Sequence, residues 1–372
     1  MAEATRALAI RARRLGRPLR RLAVGARTRG WDAHSRLLVV GDLGGWSVDE
    51  DAVHVAAAAR RLGYEVAPPA WAGLARGQSV FHTSHFEALA PRWLDGPDRL
   101  GLAYMHGRPG TPGMPEFDAA FEALRRRPDR VARVQVTHEE MRELVLSAGV
   151  PPARVFRIRL GIDLERFPLG DAEARRRARA ALDLPEAAFV VGSFQKDGVG
   201  WGEGLEPKAI KGPDVLVAAL ARLRTDAPEL HVLLTGPARG YVRRELARLG
   251  IPYRHVLAST RDELARAYHA LDVYLVASRQ EGGPKAALEA AAAGVPLVST
   301  RVGQARELHE HGVTAALVDV EDAEALAGWA ARVRDGAGAA WRGPARALAE
   351  AHEHERLDPE WAALLEGFVE RP

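Results

Sequence analysis

Two glutamates separated by seven residues, Glu281 and Glu289, enclose the start of an alanine-rich helix in the stretch EGGPKAALEAAAAGVPLVS. Gly282 and Gly283 allow the backbone to approach a ligand closely, because glycine has no side chain to obstruct it. Pro284 suits a first helical turn, since it has no N–H group to leave unpaired. The free N–H groups of that turn favour an anion. The pattern predicts a phosphate-binding site at the start of this helix.

Lysine usage gives a second indication of an anionic ligand. Lys285 lies in the first helical turn, where a cation is disfavoured by about 0.3–1 kcal/mol unless an anion is bound. The chain has 52 basic residues, yet the lysines are only Lys196, Lys208, Lys211 and Lys285. A compact ammonium differs from a planar guanidinium, so this grouping favours a shared function. The alternative is an exposed Lys285–Glu289 pair on an ordinary amphipathic helix.

Two series of alternating strands and helices must position these residues. Apolar runs predict strands in the first series at 36–43, 79–84, 100–106, 133–138 and 155–160. The second series has runs at 189–194, 231–236, 272–278, 296–300 and 315–320. The alternation predicts an α/β fold with two Rossmann-like domains, whose parallel sheets are covered on both faces. Ligands bind beyond the carboxyl ends of such strands, so the domains are expected to face a central cleft.

Further candidate residues follow the strands of the second series. Lys211 ends a long glycine-rich loop that also contains Lys196 and Lys208, and a lysine at such a position can neutralise a phosphate oxygen. The alternative is a flexible surface loop with incidental lysines. Gly236 marks the turn after the next strand, and Arg239 is a candidate to face the cleft.

The first series has its own candidates at strand ends. Gly44 and Gly45 belong to the glycine-rich stretch GDLGGWSVDE, which does not match the dinucleotide motif GxGxxG. His106 is the best-placed histidine, and a catalytic and a structural role remain open for it. For His82 and His85 a structural role is favoured.

Composition and missing motifs exclude several classes of protein. The chain has no cysteine, which excludes disulfides, thiolate zinc sites and a cysteine nucleophile. Phosphate-loop, nucleophile-elbow and HExxH zinc motifs are missing, and no Asp-x-Asp pair suggests a metal. No signal peptide or membrane-spanning run is visible, so a cytoplasmic location is expected.

An arginine-rich arm precedes the first domain. Between Ala4 and Trp31 there are nine arginines and no acidic residue. One interpretation is a solvated arm, and the other is a basic helix that contacts the inner face of a membrane peripherally. Nucleic acid is not expected as a partner, because aromatic residues for stacking are missing from the stretch.

The acid-x7-acid spacing of Glu281 and Glu289, followed by AGVPLVST, resembles the motif of retaining GT-B glycosyltransferases of the group 1 family. RIRLGIDLERF at 157–167 resembles the interdomain segment of that family. STRVGQARELHEHGVTAALVD at 299–319 resembles its glycine loop and following strand. The resemblance covers most of the chain. It implies an acceptor domain at 34–168 and a nucleotide-sugar donor domain at 169–343.

The remaining parts of the predicted organisation are the basic arm at 1–33 and a C-terminal helical tail at 344–372. The resemblance implies that Glu289 binds the donor ribose, that Lys211 holds the diphosphate, and that Glu281 with the backbone at 282–284 holds the donor sugar. His106 would lie near the reacting sugar, which makes Glu281 and His106 the catalytic candidates. The donor-binding candidates are Lys196, Lys208, Lys211, Gly236, Arg239, Gly282, Gly283, Pro284, Lys285 and Glu289. The acceptor-binding candidates are Gly44, Gly45, His82 and His85.

One position departs from the family pattern. Gln195 and Lys196 occupy the region where the family has an arginine, so the second phosphate cation is open between Lys196 and Lys208. The implied function is retaining transfer of a sugar from a nucleoside diphosphate sugar to a glycan, lipid or small molecule, without a metal or other cofactor. The alternatives are an inactive nucleotide-sugar-binding module and a GT-B epimerase or phosphorylase.

Overall fold

A computed structural model of the chain describes residues 23–24, 26–28, 31–42 and 47–371. Within them, two sheets of six parallel strands each lie in separate halves of the chain. The predicted α/β architecture of two Rossmann-like domains is confirmed. Most of the predicted basic arm lies outside the described residues, and so do Gly44 and Gly45.

The first domain has the strand order β2-β1-β3-β4-β5-β6. Its strands are β1 (Leu37–Val40), β2 (Val66–Ala67), β3 (Ser79–His82), β4 (Arg99–Ala103), β5 (Val131–Val136) and β6 (Val155–Arg157). Its helices are α1 (Ser47–Arg61), α2 (His85–Ala88), α3 (Pro91–Leu94), α4 (Pro115–Arg126) and α5 (Glu139–Ser147). Every predicted strand of this series is present, and β2 is an additional edge strand that the apolar pattern did not indicate.

The second domain has the order β12-β11-β10-β7-β8-β9. The strands are β7 (Phe189–Ser193), β8 (Leu230–Thr235), β9 (Tyr253–Val256), β10 (Val273–Val276), β11 (Leu297–Thr300) and β12 (Ala316–Val318). The helices are α6 (Ala172–Ala181), α7 (Pro213–Asp226), α8 (Gly240–Arg248), α9 (Arg261–Tyr268), α10 (Lys285–Ala293), α11 (Ala305–Leu308) and α12 (Ala323–Arg334). The direction in which successive strands are added to the sheet reverses between β7 and β10, and this switch point places the loops after these two strands side by side at the cleft.

The tail forms two helices, α13 (Arg342–Ala351) and α14 (Asp358–Leu365), which pack on different domains. Helix α13 packs against α10 of the second domain, whereas α14 packs against α1 and β6 of the first. Trp361, Leu365 and Phe368 share one buried apolar cluster with Leu37 and Phe81. The tail therefore connects the second domain back to the first. Among the described residues, no helix combines the length and apolar character that a membrane crossing requires.

Helix α10 owes its position to its small side chains. Its residues from Ala287 to Ala293 are all buried, and α13 packs directly against it. Alanine has a high helix propensity and leaves little volume between backbones, so the helix lies close to the sheet. Gly294 ends the helix with φ 76°, a left-handed conformation that glycine adopts without strain.

Candidate functional site

Lys211 and Glu281 form the centre of the site. The Lys211 Nζ atom lies 2.7 Å from Glu281 Oε1 and 2.8 Å from Oε2, and Ser278 Oγ donates a hydrogen bond of 2.8 Å to Oε1. Burial alone would raise the pKa of the Glu281 carboxyl, but the charge and hydrogen bonds of Lys211, together with Ser278, lower its pKa. Glu281 is therefore an ionised carboxylate on the floor of the cleft.

Lys196 and Lys208 lie near this pair and form a positive cluster with Lys211. Burial lowers the pKa of Lys208, and the charges of Lys211 and Lys196 lower it further. The Lys196 ammonium donates to the Gly198 carbonyl at 3.0 Å and lies 4.7 Å from the centre of the Trp201 ring. Within the described part of the chain, the Lys208 ammonium has no hydrogen-bond or ion-pair partner. Like charges held this close favour a bound anion.

His106 approaches the pair from the first domain, on the loop after β4. Burial lowers its pKa to about 4, and the positive charge of Lys211 adds to the effect, so the imidazole is neutral at pH 7. The ring lies among Phe86, Phe117 and His85. Its buried Nδ1 atom has no hydrogen-bond partner among the described residues. A ligand hydroxyl or carbonyl could satisfy it.

Glu289 is buried at 4% exposure and lies on the inner face of α10. Its Oε1 accepts from Arg261 Nη2 at 2.9 Å and its Oε2 from the Tyr268 hydroxyl at 2.7 Å. Arg261 also binds Glu50 of the first domain at 2.7 Å. Arg261 and Tyr268 therefore hold the carboxylate of Glu289, the residue that the family resemblance assigns to ribose binding, in one orientation.

Lys285 differs from the expectation that all four lysines surround one ligand. Its ammonium lies 2.7 Å from Asp51 Oδ1 and 3.4 Å from Glu50 Oε2, both on α1 of the first domain. These acids supply the negative charge that the sequence pattern assigned to a ligand. Lys285 thus forms an ion pair across the cleft, a contact that only the folded arrangement of two domains creates.

The glycines before α10 allow two protein segments to approach each other. A Cβ atom at Gly282 would overlap Met105 of the first domain, and one at Gly283 would lie 2.8 Å from Gln304. The Gly282 carbonyl accepts from Thr137 Oγ1 at 2.6 Å. Pro284 precedes the helix as its N-cap and is not in its first turn. At Gly282 the close approach predicted for a ligand is made by the first domain, and at Gly283 it is made by Gln304 and Leu160.

Arg239 does not face the cleft, which corrects the expectation from the sequence. It is 1% exposed, and its Nε atom lies 3.0 Å from Asp197 Oδ1. Its Nη1 atom donates to the Ser193 carbonyl at 2.5 Å and to the Thr235 carbonyl at 2.9 Å. Because a buried guanidinium must be paired, Arg239 fastens the glycine-rich loop to the ends of β7 and β8. Gly236, with φ 87°, turns the chain beneath the start of that loop.

His82 and His85 are buried and do not line an acceptor surface in this structure. His82 is 0% exposed, stacks edge-on against Trp93, and has its pKa lowered to about 3 by burial. His85 is 3% exposed, and its ring lies 4.1 Å from that of Tyr104. Both belong to the packing beneath the site, as the sequence interpretation favoured. His85 also contacts His106, so it supports a site residue from behind.

Sequence reasoning missed several residues that complete the site. Ser278, Arg261 and Tyr268 hold the two acidic residues, and Glu50 connects them to the first domain. Gln280 binds the first-domain loop next to His106. The signal available in the sequence was position alone, since Ser278 and Gln280 lie in the same loop as Glu281. In the described residues, no group of three or more His, Asp or Glu side chains is arranged to hold a metal ion.

Comparison with known proteins indicates the family that the donor domain resembles. Residues 200–334 match the model described as glycosyl transferases group 1. A D-inositol 3-phosphate glycosyltransferase of Salinispora tropica is 32% identical over 293 residues, which cover 69% of this chain and 58% of that protein. The protein of the same name from Kribbella flavida is 36% identical over 208 residues, covering 51% and 46%. The chain spans about half the length of the curated relatives it matches.

Solved structures share the whole architecture. Anabaena HepE in complex with UDP and glucose superposes with a TM-score of 0.71 at 17% identity, covering 90% of this chain and 99% of that one. Sucrose-phosphate synthase of Thermosynechococcus elongatus gives 0.67 at 18% identity, covering 89% and 98%. At these identities the likeness shows the fold alone, which is GT-B. The match at residues 200–334 and the similarity to the curated relatives support assignment of the chain to the group 1 glycosyltransferases.

Proposed function

We propose that the protein transfers a sugar from a nucleoside diphosphate sugar to a hydroxyl-bearing acceptor, with retention of configuration at the anomeric carbon. The observation that carries this proposal is the Lys211–Glu281 pair, with Lys208 beside it, at the carboxyl ends of the donor-domain strands. The cluster supplies positive charge for a diphosphate and a carboxylate for sugar hydroxyls in one place. A requirement for no metal ion or other cofactor is part of the proposal and rests on the resemblance to the family.

The barrier to this reaction is the departure of the diphosphate from an oxocarbenium-like carbon. Lys211 and Lys208 stabilise the negative charge that develops on the leaving group, an effect that can supply several kcal/mol. Neutral His106 offers a hydrogen bond to a sugar hydroxyl without adding a positive charge beside the oxocarbenium centre. The acceptor hydroxyl attacks from the face that the diphosphate leaves and gives its proton to that diphosphate. This path gives retention without a carboxylate nucleophile.

The acceptor domain contributes the other wall of the cleft. The curated relatives are named for D-inositol 3-phosphate, which supports a small polyhydroxylated acceptor over a long glycan or a lipid. Structural neighbours were solved with UDP, UDP-glucose and glucose, which supports a uridine donor as the first to be tried. The family-implied contacts of Glu289 with ribose and of 282–284 with sugar do not distinguish one base or sugar from another.

Release of free nucleoside diphosphate tests the proposal. The protein is incubated with UDP-, GDP- and ADP-sugars, with and without inositol phosphates and simple glycosides, and both released nucleotide and sugar product are measured. Lys211→Ala is expected to weaken donor binding strongly, because the diphosphate loses its charge partner. Arg222→Ala removes an exposed cation from α7 and is the matched control. Wild-type donor affinity in Lys211→Ala would contradict the site assignment.

Two alternatives have distinct outcomes in the same assay. A nucleotide-sugar-binding module would bind a donor tightly and release no diphosphate with any acceptor. An epimerase or phosphorylase would convert the sugar, or require inorganic phosphate, without forming a glycoside. The anomeric configuration of the product, measured by proton NMR, decides between retention and inversion.

We also propose that the protein works in the cytoplasm and that the basic arm at 1–33 contacts a membrane surface peripherally. The density of arginine without acid between Ala4 and Trp31 supports this, since each basic residue near an anionic surface contributes about 1 kcal/mol. Sedimentation with vesicles of anionic and of zwitterionic lipid, with and without the arm, tests it. Equal recovery in the supernatant in all cases would contradict the contact.

A further inference from the structure

Gln280, the residue immediately before Glu281, extends its side chain from the donor domain to the first domain. Its Oε1 atom accepts hydrogen bonds from the backbone N–H groups of Gly107 and Arg108, both at 3.1 Å. Its Nε2 atom donates to Thr111 Oγ1 at 3.0 Å. The two N–H donors fix the orientation of the amide, because only its carbonyl oxygen can accept from both.

The same residue is fixed at its backbone to the loop that carries Lys211. The N–H groups of Arg279 and Gln280 donate to the Ile210 carbonyl at 2.9 Å and 3.1 Å. Gln280 therefore contacts the residue before Lys211 with its main chain, and the residue after His106 with its side chain. Its own chain neighbour is Glu281. These three neighbours are the groups that the reaction proposed above depends on.

The loop that receives Gln280 has a conformation suited to a single oxygen atom. Gly107 has φ 112°, and its N–H group and the next one converge on the same acceptor. Successive N–H groups in such a turn form a concave site for an oxygen with partial negative charge. If the domains separate, this site loses its partner, because Gln280 belongs to the other domain. The contact is thus complete only in the closed arrangement.

We propose that Gln280 is a positioning residue that couples closure of the two domains to the placement of His106 over the Lys211–Glu281 pair. The predicted effects on transfer and hydrolysis rest on the proposed glycosyl transfer. The predicted effect on domain closure does not. Closure excludes water, so a protein that closes imperfectly should lose more of its donor to hydrolysis. Gln280 itself need not touch the substrate for this role.

Other contacts between the domains provide a matched control. Glu307 of α11 also accepts a backbone hydrogen bond from the first domain, from the N–H of Glu139 at 2.7 Å. This contact is of the same kind as that of Gln280, a side-chain oxygen of the donor domain with a main-chain N–H of the acceptor domain. It involves neither the loop after β4 nor the loop of Lys211. Glu307→Ala therefore removes this interdomain bond, together with the ion pairs of Glu307 with Arg157 and Arg159, away from the three groups.

The experiment compares Gln280→Ala, Gln280→Glu and Glu307→Ala with the unmodified full chain. Amide hydrogen exchange of the 106–112 segment is measured without and with UDP, and donor hydrolysis is measured relative to transfer. Gln280→Ala should increase exchange in this segment, raise the hydrolysis fraction, and lower kcat for transfer about tenfold or more, since a misplacement of about 1 Å can cost about 100-fold. Its KM for donor should change less than kcat.

Gln280→Glu keeps an oxygen for the two N–H groups, loses the donor to Thr111 and adds a negative charge, so it should recover part of the exchange protection. Glu307→Ala should leave both the 106–112 exchange and the hydrolysis fraction within about twofold of the unmodified protein. Unchanged exchange in Gln280→Ala would overturn the proposal. The exchange measurement needs no turnover, so it tests the role of Gln280 in domain closure even if the chain transfers no sugar.

Discussion

Of the two candidates for the second phosphate cation, Lys196 and Lys208, we expect Lys208 to contact a diphosphate. Gln195 stands where the family has an arginine, and its amide donates to the Lys211 carbonyl at 3.2 Å. Lys196 already donates to Gly198 and lies against Trp201. The Lys208 ammonium has no such partner within the described ranges, although burial and two neighbouring cations lower its pKa. A diphosphate would relieve that repulsion.

We therefore expect Lys208→Gln to weaken binding of a nucleoside diphosphate by about 1.5–3 kcal/mol, the range for a hydrogen bond to a charged group. Lys196→Gln should cost less, because its ammonium has partners within its own loop. Isothermal titration with UDP measures both variants against the unmodified protein. A larger loss in Lys196→Gln than in Lys208→Gln would reverse the assignment.

The site residues that the sequence identified share one property. His106 ends a predicted strand, Glu281 follows another within three residues, and Lys211 ends the loop after a third. Parallel strands bring their carboxyl ends together whatever the details of packing. Arg239 also follows a strand, but it forms an ion pair with the buried Asp197 of the loop. The sequence does not indicate which arginine a buried acid will pair with. Lys285 pairs with Asp51, which lies 234 positions earlier in the chain and in the other domain. A local sequence pattern cannot predict such a contact.

Elements were predicted where one physical signal dominates. Apolar runs predicted the central strands to within a few residues, and the glycine after α10 predicted the end of that helix. Strand β2 has two residues, too few for a period, and β9 reads YRHV with alternating polarity at the edge of its sheet. Both edge strands are held by pairing with a neighbour, at Leu37–Val66 and Val232–Tyr253, and that pairing is a tertiary property.

The turn before α10 is an element whose geometry can be tested directly. We expect Gly282→Ala to hinder closure of the domains, because the added methyl group would overlap Met105 and the loop cannot yield without moving Glu281. Transfer activity should fall by about tenfold or more, while the free energy of unfolding should fall by only about 1–3 kcal/mol, as for local overpacking. Steady-state kinetics and denaturant unfolding measure the two effects.

Gly202→Ala is the control for that substitution. Gly202 lies in the long loop after β7, and a Cβ atom there would meet no atom within 4 Å. Its variant should retain activity and stability within about 0.5 kcal/mol of the unmodified protein. If Gly282→Ala is equally active, the close contact between the loop and Met105 has no role in the reaction.

At the scale of the whole molecule, buried histidines in both domains and the tail should make the stability of the fold depend on pH. Burial lowers the pKa of His82 to about 3, and of His106 and His309 to about 4. His54 of α1 and His354 of the tail stack with ring centres 3.5 Å apart, and burial lowers their pKa to about 4 and about 3. The folded chain therefore keeps these rings neutral far below pH 6.5, whereas the unfolded chain protonates them near that pH.

Stability should consequently fall as the pH falls from 6.5 towards 4. Over this range the unfolded state binds more protons than the folded state, so the free energy of unfolding decreases with decreasing pH, by up to about 1.4 kcal/mol per pH unit for each such histidine. Denaturant unfolding at pH 7, 6 and 5 measures the slope. His82→Phe removes one titrating ring from the core of the first domain, so its slope should be shallower whatever its stability at pH 7, since the comparison is between slopes. A free energy of unfolding that stays constant from pH 7 to pH 5 would mean that these rings are accessible to protons in the folded protein, and the close packing of both domains and the tail around them would then be wrong.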